Sequence, residues 1–302
     1  MSTAAPPVVP GEMNLGRRLG GFVALTKPRI IELLLVTTLP TMIVAAHGLP
    51  GWQLMLATLA GGTLAAGGAN AINMVVDRDI DAVMHRTRKR PLVTGVVSAP
   101  EALVFAIGLE VLAFALLWAE VNLLSAVLAV SATLFYVFVY TLWLKRTSRQ
   151  NIVIGGAAGA VPVLVGWAAV RDSVGWAPVV LFALMFVWTP PHFWALAIRY
   201  RDDYRSVDVP MMPVVTTFKR TASQILAYTV LVAVVSLVFG WSAGMGALYW
   251  VSAVVLGAVF CLLAYRLWAT PTEKLAMKLF HWSITYVTLL FTAMAVDQLI
   301  LH

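Results

Sequence analysis

The chain is short of charge and almost without cysteine. Only 12% of its 302 residues are Asp, Glu, Lys or Arg, against 61% hydrophobic residues. Soluble domains carry about twice that share of charge, which excludes a water-soluble globular class. The one cysteine, Cys261, allows no internal disulfide and no cysteine-rich metal cage, and it reads as a packing residue. Residues 1–28 hold Pro6, Pro7, Pro10 and Gly11 but no apolar core. A signal peptide or a long Arg/Ser-rich transit segment is not expected there, and the stretch reads as a poorly ordered cytoplasmic tail. Nucleic-acid motifs are missing as well, so the net charge of +7 does not argue for a nucleic-acid partner.

Long apolar runs are what the chain does contain. Mean hydropathy is +0.87. Spanning a bilayer takes ~20 predominantly apolar residues, and nine runs come close to this, near 29–47, 52–76, 99–119, 122–143, 151–170, 175–198, 222–242, 246–267 and 279–299. Only the Glu120 region separates the third from the fourth, which predicts a tight helical hairpin. The expected fold is therefore all-α: a polytopic bundle of nine transmembrane helices around a central cavity, with 29–302 as one domain.

Charge in the loops orients the bundle. If the tail and alternate loops share one side, 20 of the 21 Lys and Arg residues fall there and only Arg171 falls opposite. The positive-inside rule then places the N-terminus in the cytoplasm and, with nine spans, the C-terminus outside.

Against this apolar background, residues 70–91 stand out: NAINMVVDRDIDAVMHRTRKRP. Positions four apart stack along one side of a helix, so Asn73, Asp77 and Asp81 form a polar stripe at the cytoplasmic end of the second span. Cytoplasmic helix ends favour Lys and Arg, and polar groups inside a membrane usually face a cavity. Gly61, Gly62, Gly67 and Gly68 precede the stripe and predict close helix packing. Asp202, Asp203 and Asp208 follow the sixth span at the same face. Asp77 and Asp203 lie four spans apart, which suggests two four-helix pseudo-repeats plus a last helix.

Two carboxylate clusters that face each other suit a hard cation. Mg2+ takes one or two carboxylates, keeps several waters and bridges substrate phosphates. Lys27, Arg86, Arg90, Lys145, Arg146 and Arg149 would neutralise the remaining phosphate charge. A diphosphate with a membrane-embedded tail is the ligand this chemistry describes. Tyr136, Tyr140, Trp143, Trp188, Phe193 and Trp194 are available to face an allylic cation, although tryptophans in a membrane protein mostly form interfacial belts. His192 follows Pro190 and Pro191, which are expected to break the helix ladder, and it reads either as packing or as a proton-transfer group. His85 reads as interfacial, while His47, His281 and His302 have no supporting context.

These residues resemble the UbiA superfamily of intramembrane prenyltransferases, and within it the heme O synthase branch. The resemblance lies in TKPRIIELLLVTT (26–38), NMVVDRDIDAVMHRTRKRPLVTG (73–95), YTLWLKRTSRQNIVIGGAAGAVPVLVGW (140–167), WTPPHFWALAIRYRDDY (188–204) and VPMMPVV (209–215). It implies farnesyl transfer from farnesyl diphosphate to a vinyl group of protoheme IX (heme B), giving heme O for terminal oxidases, in a bacterial inner membrane with the site facing the cytoplasm. Carried over by motif, Asn73, Asp77, Asp81 and Asp203 would hold Mg2+, and His192 would join them in catalysis. Lys27, Arg86, Arg90, Lys145 and Arg146 would bind the diphosphate, and Tyr140, Trp194 and Tyr204 the prenyl chain or the heme. The lipid bilayer and a downstream heme A synthase are the implied partners. One departure is visible: quinone-type members carry a second Asp-x-x-x-Asp, whereas here Tyr200 and Tyr204 flank the acids. Asp203 is left to bind metal directly or through water. Two other functions remain open on the residues alone: prenylation of an aromatic quinone precursor, and proton-coupled transport.

Overall fold

The computed structural model describes residues 15–301. Every regular element among them is helical. In chain order these are α1 (Leu15–Leu25), α2 (Pro28–Ala46), α3 (Trp52–Val76), α4 (Arg78–Val83), α5 (Ala99–Glu120), α6 (Leu123–Thr147), α7 (Asn151–Arg171) and α8 (Trp176–Arg199). The short α9 (Arg201–Arg205) and α10 (Met212–Val215) follow, then α11 (Phe218–Ser242), α12 (Ala247–Ala269) and α13 (Glu273–Leu301). Eight of these are long and apolar enough to cross a membrane. The first expected span, 29–47, is α2, whose apolar stretch Ile31–Ala46 is shorter than that criterion.

The expected hairpin forms as the sequence suggests. Only Val121 and Asn122 separate α5 from α6, and the Asn122 side chain accepts a hydrogen bond from Ser125 N at 2.8 Å to cap the new helix. α3 packs along α5. At Gly68 a Cβ would lie 2.6 Å from Glu110 Oε1 and 3.0 Å from the Ala106 carbonyl, so the two helices approach closely only because a side chain is missing. The most buried spanning helix is α8, flanked by α7, α11 and α13; α2 packs on α7 and α13.

Three local expectations are corrected. Residues 15–25, read as tail, form α1, with Gly21 and Leu25 buried and Phe22 packed on Phe105 at 5.1 Å between ring centroids. Its apolar residues Leu15, Leu19, Phe22 and Val23 recur at helical spacing on either side of Arg17 and Arg18, a pattern too short for a span but sufficient for a helix lying on the bundle. Pro6, Pro7, Pro10, Gly11 and His302 lie outside the described residues. Second, α8 runs through Pro190 and Pro191 without a break. Proline removes a donor, but packing against neighbouring helices tolerates that loss in a membrane segment. Third, α3 closes at Val76, where the second span was expected to end, but the helix taken to carry the stripe on to Asp81 is interrupted. Asp77 sits at the junction with φ −86° and ψ 3°, and α4 resumes at Arg78.

Candidate active site

The polar stripe survives the helix junction because its hydrogen bonds do. Asp77 N donates to Asn73 O and Asp81 N to Asp77 O, both at 2.9 Å, so the four-residue register is unbroken. Asn73, Asp77 and Asp81 are all buried, Asp77 fully so. Asn73 Nδ2 donates to Asp77 Oδ2 at 2.7 Å and lies 3.2 Å from Thr141 Oγ1.

Cations close over these acids from three other segments. Lys27, in the left-handed region between α1 and α2 (φ 53°), donates to Asn73 Oδ1 at 2.8 Å. Burial, and then the positive charges of Arg90 and Lys145, pull its ammonium down to about 7. Lys145 at the end of α6 donates to Asp77 Oδ2. Arg90, in the loop after α4, holds Asp81 Oδ2 at 2.5 Å. Arg146 forks onto both oxygens of Asp79 at 2.7 Å, which holds that carboxyl down at about 2, and it approaches Asp77 Oδ1 at 3.8 Å. Asp77 Oδ1 is sealed from solvent without a hydrogen-bond partner.

The reach of α6 into this cluster depends on a wide turn. Phe135–Leu144 is π-helical, and Lys145 N bonds back to Tyr140 O, five residues away. π-Helical turns recur at functional sites. Here the turn aligns Tyr136 and Tyr140, which stack at 5.4 Å, with Thr141, whose hydroxyl donates to Tyr136 O. Tyr140 in turn lies over α7 where Gly155 leaves room: a Cβ there would fall 2.3 Å from the ring.

The second acidic arm comes in through Arg86. Its backbone N donates to Asp203 Oδ2 at 3.3 Å, and its guanidinium donates to Tyr204 OH at 2.6 Å. That guanidinium also lies over the Tyr200 and Tyr204 rings at 5.1 and 4.7 Å. The two tyrosines that replace the expected acids therefore bind an arginine. Asp202 is exposed and pairs with Arg205 on its own short helix.

His192 and Trp194 sit deeper along α8. His192 stacks on Trp188 at 4.3 Å and on Phe280 at 4.8 Å, and its Nδ1 lies 2.7 Å from Ser283 Oγ on α13. Ser283 has one hydroxyl proton, which it gives to Phe280 O at 2.6 Å. With that proton on Phe280 O, the oxygen accepts from His192 Nδ1–H, the tautomer that leaves the lone pair on Nε2; the opposite tautomer requires the hydroxyl to turn from Phe280 O to Nδ1. Trp194 is fully buried edge-on to Tyr228, and no hydrogen bond or ring contact among the described residues joins it to the acids. Trp143 is largely exposed on the outer surface of the bundle.

Sequence reasoning missed Asp79, Thr141 and Ser283. Asp79 stood beside the ladder but off its register. The two hydroxyl residues carried no signal among many like them.

Among the described residues, no three His, Cys, Asp or Glu side chains gather as a metal cage. The donor set is two buried carboxylates and an amide, with one carboxylate oxygen unpartnered. That set fits Mg2+, which fills its shell with water and phosphate oxygens. Two of the three intramembrane acids a transporter would use are engaged otherwise, Glu110 accepting from Thr133 and Asp297 from Gly246 N and Tyr249 N, while the third, Glu32, is exposed on α2.

The profile of the UbiA prenyltransferase family matches residues 34–285. The chain belongs to this family. Among its curated relatives, a protoheme IX farnesyltransferase of Parafrankia sp. is 52% identical over 303 residues, covering 98% of this chain and 97% of that one. One from Streptomyces avermitilis is 52% identical over 293 residues, covering 95% and 96%. Solved UbiA-type structures share the fold at low identity. A digeranylgeranylglyceryl phosphate synthase superposes with a TM-score of 0.77 at 17% identity, over 93% of this chain and 99% of that one. A UbiA homolog from Aeropyrum pernix gives 0.71 at 20% identity, over 89% and 98%. One from Archaeoglobus fulgidus, bound to GPP and Mg2+, gives 0.61 at 14% identity, over 91% and 99%.

Proposed function

We propose that this UbiA-family protein transfers the farnesyl group of farnesyl diphosphate to a vinyl group of protoheme IX, giving heme O. The observation that carries this reading is Asp77. A fully buried carboxylate with one oxygen free of hydrogen bonds, approached by Lys145 and Arg146, with Lys27 on the neighbouring Asn73 and Arg90 on Asp81, is built for a ligand of mixed charge. The relatives named protoheme IX farnesyltransferase, half identical along nearly the whole chain, support the choice of acceptor.

Asp77, Asp81 and Asn73 would hold Mg2+, with Asp203 opposite, directly or through water; the Archaeoglobus relative bound to Mg2+ supports this. When bound, the ion supplies positive charge to a departing diphosphate. The chain's own cations do the same from fixed positions. Lys27, Arg90, Lys145 and Arg146 already stand at the acids and would share that work with phosphate oxygens, while Arg86 is steadied by Tyr200 and Tyr204. As the allylic C–O bond breaks, the stacked rings of Tyr136 and Tyr140 offer π faces to the developing cation. The vinyl group attacks, water adds to the carbon left electron-poor, and its proton leaves with the diphosphate. His192, with its Nε2 lone pair free, would take that proton from the water and pass it on toward the diphosphate. Tyr204 supports Arg86 rather than substrate, and Trp194, edge-on to Tyr228, packs α8 against α11.

The site faces the cytoplasm of a bacterial inner membrane on this reading, with two four-helix pseudo-repeats and α13 forming the domain. A heme A synthase would consume the product.

Mass spectrometry of heme extracted after incubation with farnesyl diphosphate and Mg2+ tests the proposal. A heavier, farnesylated and hydroxylated heme is expected. Prenylation of 4-hydroxybenzoate with heme untouched would overturn the acceptor assignment.

A further inference from the structure

Beside the acid cluster lies a second basic feature that the reaction as described does not use. An open pocket of about 500 Å³ is lined by Arg149, Arg201 and Arg220, together with Thr216 and Thr217, and no carboxylate lines it. The cations of the acid cluster are all engaged: Lys145 and Arg146 on Asp77 and Asp79, Arg90 on Asp81, Lys27 on Asn73. None of the three pocket arginines forms an ion pair among the described residues, and Arg201 Nε is buried without a hydrogen-bond partner. Here the fold leaves its positive charge uncompensated.

The pocket adjoins the acid cluster along the chain. Arg149 lies four residues beyond Lys145, which sits on Asp77. Arg201 follows Tyr200, whose ring lies under Arg86, and precedes Asp203 by two residues. Four residues cover roughly 6 Å as helix and at most ~14 Å extended. A single flat molecule the size of a porphyrin can therefore reach both places.

We infer that Arg149, Arg201 and Arg220 form the subsite for the two propionate carboxylates of the heme acceptor. This rests on the function proposed above. The macrocycle is apolar and suits the bundle, whereas its two carboxylates need either water or cations. A guanidinium presents a planar fork of donors that matches a carboxylate bidentately. The diphosphate already has its own set of cations, which leaves this pocket for the other anionic group of the reaction. With the carboxylates anchored here, the opposite, vinyl-bearing edge points away from the pocket, and the distance to the acids selects which part of the ring meets the farnesyl carbon.

Heme dimethyl ester is the direct probe, because it removes both negative charges and leaves the ring intact. Wild-type protein should bind heme, followed by absorbance titration, at least roughly ten-fold more tightly than the diester. The Arg149→Gln, Arg201→Gln, Arg220→Gln triple variant should lose that preference. Its KM for heme should rise by a similar factor, and the Arg201→Gln, Arg220→Gln double variant, which keeps Arg149, should raise the KM for heme with the KM for farnesyl diphosphate little changed. Equal binding of heme and diester by the wild type overturns the inference without recourse to any variant. It is also overturned if the triple variant keeps its heme affinity while losing stimulation by phosphatidylglycerol vesicles, since the pocket would then hold a lipid headgroup. Failure of the reaction itself is a separate result: tight, diester-sensitive heme binding without farnesyl transfer would sink the proposed function and leave the subsite standing.

Discussion

At Asp77 a carboxylate without solvent exposure meets one ammonium and one amide through Oδ2, while Oδ1 accepts no hydrogen bond and has only the Arg146 guanidinium nearby at 3.8 Å. Removing one member of such a buried pair costs ~3–5 kcal/mol, because the other charge is left alone. Asp77→Asn is therefore expected to abolish farnesyl transfer and to lower the melting temperature, while Asp81→Asn, whose partner Arg90 reaches solvent, should cost activity by orders of magnitude with less loss of stability. Lys145→Met added to Asp77→Asn separates the two effects. The double variant should regain much of its melting temperature in detergent and none of its activity. Recovery of activity would remove Asp77 from the reaction.

His192 offers a second test at this scale. If Ser283 fixes the Nδ1–H tautomer, nitrogen NMR of histidine-labelled protein should show a protonated Nδ1 and an unprotonated Nε2 at His192, assigned by its loss in His192→Gln. Ser283→Ala should mix the tautomers and lower kcat, and Ser283→Thr should restore both. An Nε2–H tautomer in the wild type would contradict the hydrogen bonds described here. The spacing of Asn73, Asp77 and Asp81 was legible in the sequence because helical period alone aligns them. Ser283 was not, since it lies 91 residues from His192 and only packing brings them together.

Among the elements, α12 begins at a point no local signal explains. Gly246 precedes it and has no capping side chain of its own. The cap comes from α13, where buried Asp297 accepts from Gly246 N at 2.5 Å and Tyr249 N at 3.1 Å. A negative charge at a helix N-terminus is favourable, and leaving two buried N–H groups unpaired costs about 1–3 kcal/mol each. Asp297→Ala should lower the melting temperature by several degrees without changing KM for either substrate. A catalytic defect at unchanged stability would instead return Asp297 to a proton path. Apolar length and charged loops made the long helices readable. They did not reveal the π-helical turn in α6, where the hydrogen-bond shift follows from fitting Tyr140 over Gly155 and Lys145 onto Asp77. Nor did they reveal α1, whose exposed Leu15, Leu19 and Val23 recur every four residues and so make one apolar face that belongs against lipid.

For the molecule as a whole, orientation is the property its charge pattern constrains most tightly. Arg171 is the one cation on the minority side, and it is occupied: its Nε donates to Ala45 O at 2.5 Å, at the C-terminal end of α2, where positive charge complements the helix dipole. It thus serves as a helix cap, and the loop charge that sets topology is left entirely on the face that carries the acid cluster. That face should be cytoplasmic. Because Cys261 is the only cysteine, Cys261→Ala gives a clean background for single-cysteine labelling in intact cells. A cysteine at Lys89 should be protected from an impermeant maleimide until the membrane is opened, and one at Ser173, at the opposite end of α7, should react at once. Reversed labelling would turn the bundle over and place the diphosphate site outside the cell, away from any cytoplasmic supply of its substrate. A cysteine at Arg17, in α1, tests the first crossing: with α2 and α3 both spanning, it lies on the Lys89 side and should be protected in the same way. If it reacts at once, as Ser173 is expected to, then α2, the shortest apolar helix of the bundle, does not cross.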